Sequence, residues 1–161
     1  MEFAHARTRC HLAHEGDAGV RRLDKLADDD LVAPVIESGL MAESVDEYFE
    51  RKPGSRAIFD QIADHIAAVG QAEIHVASQI SFGVNRKFAW FWLYNITRKH
   101  PDGVPHLMLA MDHEVDDPHV RDVAHIGKTR WNHQIVVRTL EDAASVWLKR
   151  LIAEAFDYGS S

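Results

Sequence analysis

Cysteine is almost absent from this chain of 161 residues, and its single thiol, Cys10, has no second cysteine to pair with. An internal disulfide is therefore excluded, and a reducing compartment is the natural setting. Long apolar runs are also missing, because the longest, Phe88 to Tyr94, falls far short of the roughly 20 residues that span a bilayer. The first residues lack the apolar segment of an export signal. We therefore expect a cytoplasmic protein without a membrane segment.

Positive charge is sparse, since 18 lysines and arginines stand against 25 acidic residues and the formal net charge is -7. Proteins that bind phosphate backbones rely on clustered cationic side chains, and no such cluster is present. The composition therefore disfavours nucleic acid as a partner. What is abundant is apolar: 46% hydrophobic and 27% charged residues fit one soluble domain with a substantial core.

Residues 1–40 differ in composition from the rest and carry no sustained helical or strand period. Cys10, His11 and His14 resemble a metal-binding tract, but a zinc site needs a second ligand pair, which this segment does not supply. We interpret residues 1–40 as a poorly ordered extension, ahead of a single domain over residues 41–158. The abrupt onset of helix-capping signals after Met41 is consistent with translation starting there.

The domain opens with two predicted helices. Ser44 and Glu47 form a capping box for the first. Ser55 caps a second helix, which Gly70 ends, and its apolar positions recur at helical spacing.

Two runs rich in aromatic and β-branched residues, 74–82 and 87–94, predict a β-hairpin at the centre of a sheet. If the connecting loop has an even number of residues, Ala89, Phe91 and Leu93 share a face with Ile80 and Phe82. Another set then lines the other face: Phe88, Trp90, Trp92 and Tyr94. An odd loop exchanges the two sets. Either way both faces of the second strand are apolar, which predicts that both are covered.

The second half predicts a strand at 106–111, a short helix that Asp117 and Pro118 start, a strand at 131–138 and a last helix after Thr139. The fold prediction is therefore a single α+β domain. It has an antiparallel sheet of about four strands with packed helices, in the order ααβββαβα.

The candidate ligand-binding residues are Ser78, Lys87, Trp90, Trp92 and His133, which we expect around one aromatic-lined recess. Ser78 and His133 are polar residues on otherwise apolar strand faces, where a buried group without a partner is costly. Lys87 enters the aromatic strand beside the turn and offers an anion a partner. We expect a small binding module for a small acidic or aromatic ligand or a protein partner, with no cofactor, no metal and no assigned catalytic residue.

Two alternatives remain open. One is a hydrolase or metal-dependent enzyme that uses His133 and the acidic loop at Asp116 and Asp117. The competing interpretation of the same residues is that His133 is a core histidine with internal hydrogen bonds and that the acidic loop is solvated. The other is a self-associating protein, a homo-oligomer, because four tryptophans in one small domain also mark an interface.

A distinctive ordered set of short segments connects the chain to a known family: SVDEYF at 44–49, SQISF at 78–82, KFAW at 87–90, DP at 117–118 and WNH at 131–133. Over residues 41–158 the chain resembles a bacterial family known only as domain of unknown function 5655. Many members have two adjacent histidines where this chain has His133 followed by Gln134. The resemblance implies an uncharacterised α+β domain without assigned activity, found alone or joined to restriction-nuclease-like modules.

Overall fold

The computed structural model describes residues 42–95 and 99–161. Its elements, in chain order, are α1 Val45–Tyr48, α2 Pro53–Val69, β1 Glu73–Val76, β2 Ile80–Gly83, β3 Lys87–Tyr94, β4 Val104–Met111, β5 Val120–Ile126, β6 Arg130–Val136, α3 Leu140–Ala143 and α4 Val146–Ser160. The predictions made for residues 1–40 and for Met41 lie outside the described residues.

The strands form one antiparallel sheet in the order β1-β2-β3-β4-β6-β5. The predicted α+β class with an antiparallel sheet is confirmed. The sheet has six strands instead of about four, and the described elements follow the order ααββββββαα instead of ααβββαβα. Three local features account for the difference, and one of them is that the single helix predicted after Thr139 is divided into α3 and α4.

The first difference is that residues 74–82 do not form one strand. Val76 pairs with Ile80, so residues 77–79 turn the chain back and make β1 and β2 a hairpin of their own. The N–H of Ala77 donates to the carbonyl oxygen of Gln79 at 2.9 Å across this turn. Ser78 therefore lies at the tip of a turn and not on a strand face.

The second difference concerns Asp117, which does not cap a helix. Residues after Pro118 form β5, which pairs with β6 from Val120 to Ile126, and Gly127 closes the connecting turn at a φ of 68°. The carboxylate of Asp117 instead accepts from the N–H of His119 at 2.9 Å, a local bond of the kind that stabilises turns. The predicted helix is wrong because β-branched residues on β5 gain a partner strand that the capping signal cannot report.

The register of β2 and β3 is the one that an even loop predicts. Ile80 pairs with Phe91 and Phe82 with Ala89. An irregularity at Gly83 makes Phe88 an extra residue on β3, and its ring packs edge-on against Phe156 of α4 at 5.4 Å. Phe88 thus joins the helix side of the sheet, contrary to the prediction that it lines the other face.

The four helices in the described part of the chain, or their capping residues, contribute to one hydrophobic cluster on that side, which we call the helix face. Its strand members include Phe82, Phe91, Leu107 and Ile135. Trp90 and Met108 pair with each other and are buried outside this cluster, on what we call the opposite face. In residues 42–95 and 99–161, no helix combines the length and apolar character needed to cross a membrane.

Candidate functional site

His133 lies on the helix face of β6 and is fully buried, with 0% of its surface exposed. The N–H of Val115 donates to its Nε2 at 2.9 Å, and its Nδ1 lies 3.3 Å from the carbonyl oxygen of Leu109. Burial lowers the pKa of His133, so the ring is neutral at pH 7. Both ring nitrogens face backbone groups, as expected of a core histidine with internal bonds.

The predicted recess that combines Ser78, Lys87, Trp90 and His133 is not present. Strands β3 and β4 lie between β2 and β6. His133 pairs with Leu109, whereas Trp90 pairs with its neighbour Met108, so the pleat directs His133 and Trp90 to opposite faces. The structure therefore separates Ser78 and His133, and ligand binding by these residues stays a prediction.

Three of the candidates do lie on the opposite face. Lys87 pairs with Gly83 at the start of β3 and is half-buried. Trp90 is buried between Ser81 and Met108 in neighbouring strands. Trp92 is also half-buried, and its ring contacts His106.

Trp92 belongs to a group of four side chains that we call the His106 cluster: Trp92 and Tyr94 of β3, His106 of β4 and Gln134 of β6. The His106 ring stacks on Trp92 with centroids 5.4 Å apart and an interplanar angle of 30°. Tyr94, 46% exposed, contacts the same imidazole at 5.4 Å. The cluster joins an aromatic platform to a titratable ring at a site with access to solvent.

Hydrogen bonding assigns the proton of His106. The amide nitrogen of Gln134 lies 3.0 Å from Nδ1 and donates to it, so the neutral ring carries its proton on Nε2. Burial lowers the pKa of His106, and the charges of Arg121 and Arg138 lower it further. At pH 7 the ring is therefore a neutral donor through Nε2–H.

A buried amide lies beside this cluster. Gln79 is 4% exposed, and neither its amide nitrogen nor its amide oxygen has a hydrogen-bond partner among the described residues. Gln79 is the residue before Ile80, which pairs with Phe91, and Trp92 is the residue after Phe91. A buried amide without partners costs about 1–3 kcal/mol.

Sequence reasoning missed His106, Gln134 and Gln79, although one signal for His106 was present. The alternation that places Leu107 and Leu109 on the helix face puts His106 on the opposite face, beside the aromatic strand. The Gln134 contact had no such signal, because β4 and β6 are neighbours in the sheet although β5 lies between them in the sequence.

The residues of the enzyme alternative, Asp117 and His133, do not contact each other. Asp117 contacts His119, at 2.7 Å from its Nδ1, and accepts from Arg150 at 2.7 Å, while His133 lies in the core. The described part of the chain holds no group of three or more His, Cys, Asp or Glu residues arranged to bind a metal ion. The His133 chemistry of this alternative has no accessible ring nitrogen to act through.

The tryptophans that suggested self-association are not exposed. Trp90 is buried and the other three are half-buried. Trp131 and Trp147 stack on His125 and His119 of the same chain, at 4.1 and 4.0 Å. Self-association stays a prediction without support from these rings.

A separate apolar pocket of about 390 Å³ lies between the end of α2 and β1. Ile66, Gly70, Ile74 and Phe82 line it, and Gln71 is its polar member. It shares no residue with the His106 cluster.

Comparison with known proteins places the chain in a family. The family model described as domain of unknown function (DUF5655) matches residues 45–159, which confirms the resemblance drawn from the sequence. No curated protein and no solved structure matches the chain.

Proposed function

Because the chain belongs to the DUF5655 family, whose description names no activity, we propose a function from the geometry of the site: the domain is a binding module that holds a small planar ligand at the His106 cluster. The observation that carries this proposal is the buried amide of Gln79, which has no partner among the described residues and directly precedes the Ile80–Phe91 pair, one residue short of Trp92.

The chemistry of the cluster supports a planar ligand. Trp92 and Tyr94 offer ring faces, and stacking against such faces contributes about 0.5–1.5 kcal/mol beyond the apolar area that it buries. Gln79 offers one donor and one acceptor group, and His106 adds a donor at Nε2. A ligand with a ring and polar atoms at its edge satisfies both kinds of contact.

Benzamide is a suitable first probe, because it combines a planar ring with an amide that complements Gln79. Titration of isotope-labelled protein followed by NMR should give saturable shifts of the Trp92 indole N–H and the Gln79 side-chain amide. We expect a dissociation constant on the millimolar scale, which corresponds to a binding free energy of about 4 kcal/mol.

The matched variants are Trp92→Leu and Trp147→Leu, since both tryptophans are half-buried and stack on a histidine. Trp92→Leu should abolish the saturable shifts at Gln79, and Trp147→Leu, on the helix side, should leave them. Shifts that do not saturate, or that persist unchanged in folded Trp92→Leu, would overturn the proposal.

A further inference from the structure

Two arginines lie at the edge of the His106 cluster. Val136 pairs with His106, and the N–H of Val137 donates to the carbonyl oxygen of Pro105 at 3.0 Å, so the pairing continues past the end of β6. Two residues after Val136, the alternation brings Arg138 to the same face. Arg138 is exposed there.

Arg121 approaches from β5. The pairing of β5 with β6 has an irregularity between Val120 and Asp122, and Arg121 is the extra residue across from Gln134 and Ile135. Irregularities of this kind re-aim a side chain relative to the sheet. Arg121 is exposed, and its charge and that of Arg138 both act on His106.

Neither arginine has an acidic partner in residues 42–95 and 99–161. Two other described arginines do have acidic partners: Arg56 contacts Asp46 at 2.6 Å, and Arg150 contacts Asp117 at 2.7 Å. Acidic residues outnumber basic ones by 25 to 18, so acceptors for an arginine are plentiful. Two unpaired cations beside one imidazole repel each other unless an anion lies between them.

We infer that the ligand of the His106 cluster is an oxyanion, a carboxylate or phosphate carried on a planar ring, with Arg121 and Arg138 binding the anionic group. This inference rests on the proposed function, because the ring still stacks on Trp92 and Tyr94. The guanidinium group suits such a ligand, since its planar donors match the two oxygens of a carboxylate or phosphate. The Nε2–H of His106, which has no partner among the described residues, is a third donor in the same cluster.

Four probes separate the contributions of charge and ring: benzamide, benzoate, phenyl phosphate and acetate. Benzoate or phenyl phosphate should bind about tenfold more tightly than benzamide, the usual scale for a charge-assisted hydrogen bond. Added salt should weaken this preference. Acetate, which has the charge without the ring, should bind more weakly than benzoate.

The test variant is the double variant that combines Arg121→Gln and Arg138→Gln. Its matched control is Lys149→Gln, on the exposed side of α4. All three side chains are exposed, so the variants should fold. The double variant should reduce benzoate affinity to that of benzamide and leave benzamide binding unchanged, whereas Lys149→Gln should change neither.

The outcomes distinguish the two proposals. If benzamide binds and neither anionic probe binds more tightly, the oxyanion inference is wrong and the proposed function stands. An anion preference that survives in the double variant also overturns the inference. If no ring-bearing probe binds at Trp92, the proposed function itself fails.

Discussion

Replacing His133 by Phe is the most direct test of its assignment to the core. The phenyl ring keeps a planar shape at a fully buried position, but it removes the acceptor for the Val115 N–H and the ring nitrogen that faces the Leu109 carbonyl. A buried polar group left without a partner costs about 1–3 kcal/mol. The 2.9 Å bond to Val115 is the stronger contact and the 3.3 Å contact to Leu109 the weaker. We therefore expect the free energy of unfolding to fall by about 2–4 kcal/mol, a large share of the roughly 5–15 kcal/mol that is typical of a folded protein.

Urea unfolding followed by tryptophan fluorescence measures this loss in the free energy of unfolding. His75→Phe is the matched control, because His75 is exposed on β1 and its replacement should stay within about 0.5 kcal/mol. Benzoate affinity of the folded His133→Phe protein should equal that of the wild type, since His133 and Trp92 lie on opposite faces. A stability within about 0.5 kcal/mol of wild type, or a selective loss of benzoate binding, would refute the structural assignment.

Three further predictions follow from single contacts. Gly159→Ala should destabilise the fold by about 1–3 kcal/mol, because the new Cβ would lie 2.5 Å from Cδ1 of the fully buried Phe88 ring; adding Phe88→Leu should recover part of this loss in urea unfolding. Asp117→Ala should cost about 1–2 kcal/mol and increase amide hydrogen exchange at residues 112–119, because the carboxylate connects this segment to Arg150; unchanged exchange would contradict this. The free energy of unfolding should fall as the pH drops below 6.5, because burial lowers the pKa of His133 and the unfolded chain binds its proton first; His133→Phe should remove that part of the pH dependence.

The pairing of β2 with β3 was predictable from the sequence, whereas the turn between β1 and β2 was not. Gly83 and Asn85 indicate the turn, and the pairing predicted for an even loop is observed for Ile80 and Phe82; the loop itself has three residues, and the extra residue Phe88 restores that pairing. The turn at 77–79 has neither glycine nor proline, and its residues continue a period-2 pattern. Alternation alone therefore merged β1 and β2 into one strand.

The segment after Asp117 shows a local signal overridden by tertiary structure. An Asp-Pro pair favours a helix start only when nothing else competes for the backbone. Here β5 pairs with β6 along most of its length, and each pairing contact comes from residues beyond a turn that closes at Gly127. The Asp117 carboxylate still satisfies a backbone N–H, but that of a turn.

The two histidines on β4 and β6 differ in the partners that their ring nitrogens have. His133 was predicted to face a covered layer, where it must find hydrogen-bond partners, and it faces backbone groups through both ring nitrogens. His106, one strand away and on the other face, shares one nitrogen with the Gln134 side chain and keeps Nε2–H for another acceptor. Among the described residues, backbone groups partner both nitrogens of His133, whereas Nε2–H of His106 has no partner, and this contrast is why we propose binding on the opposite face of the sheet and not in the core.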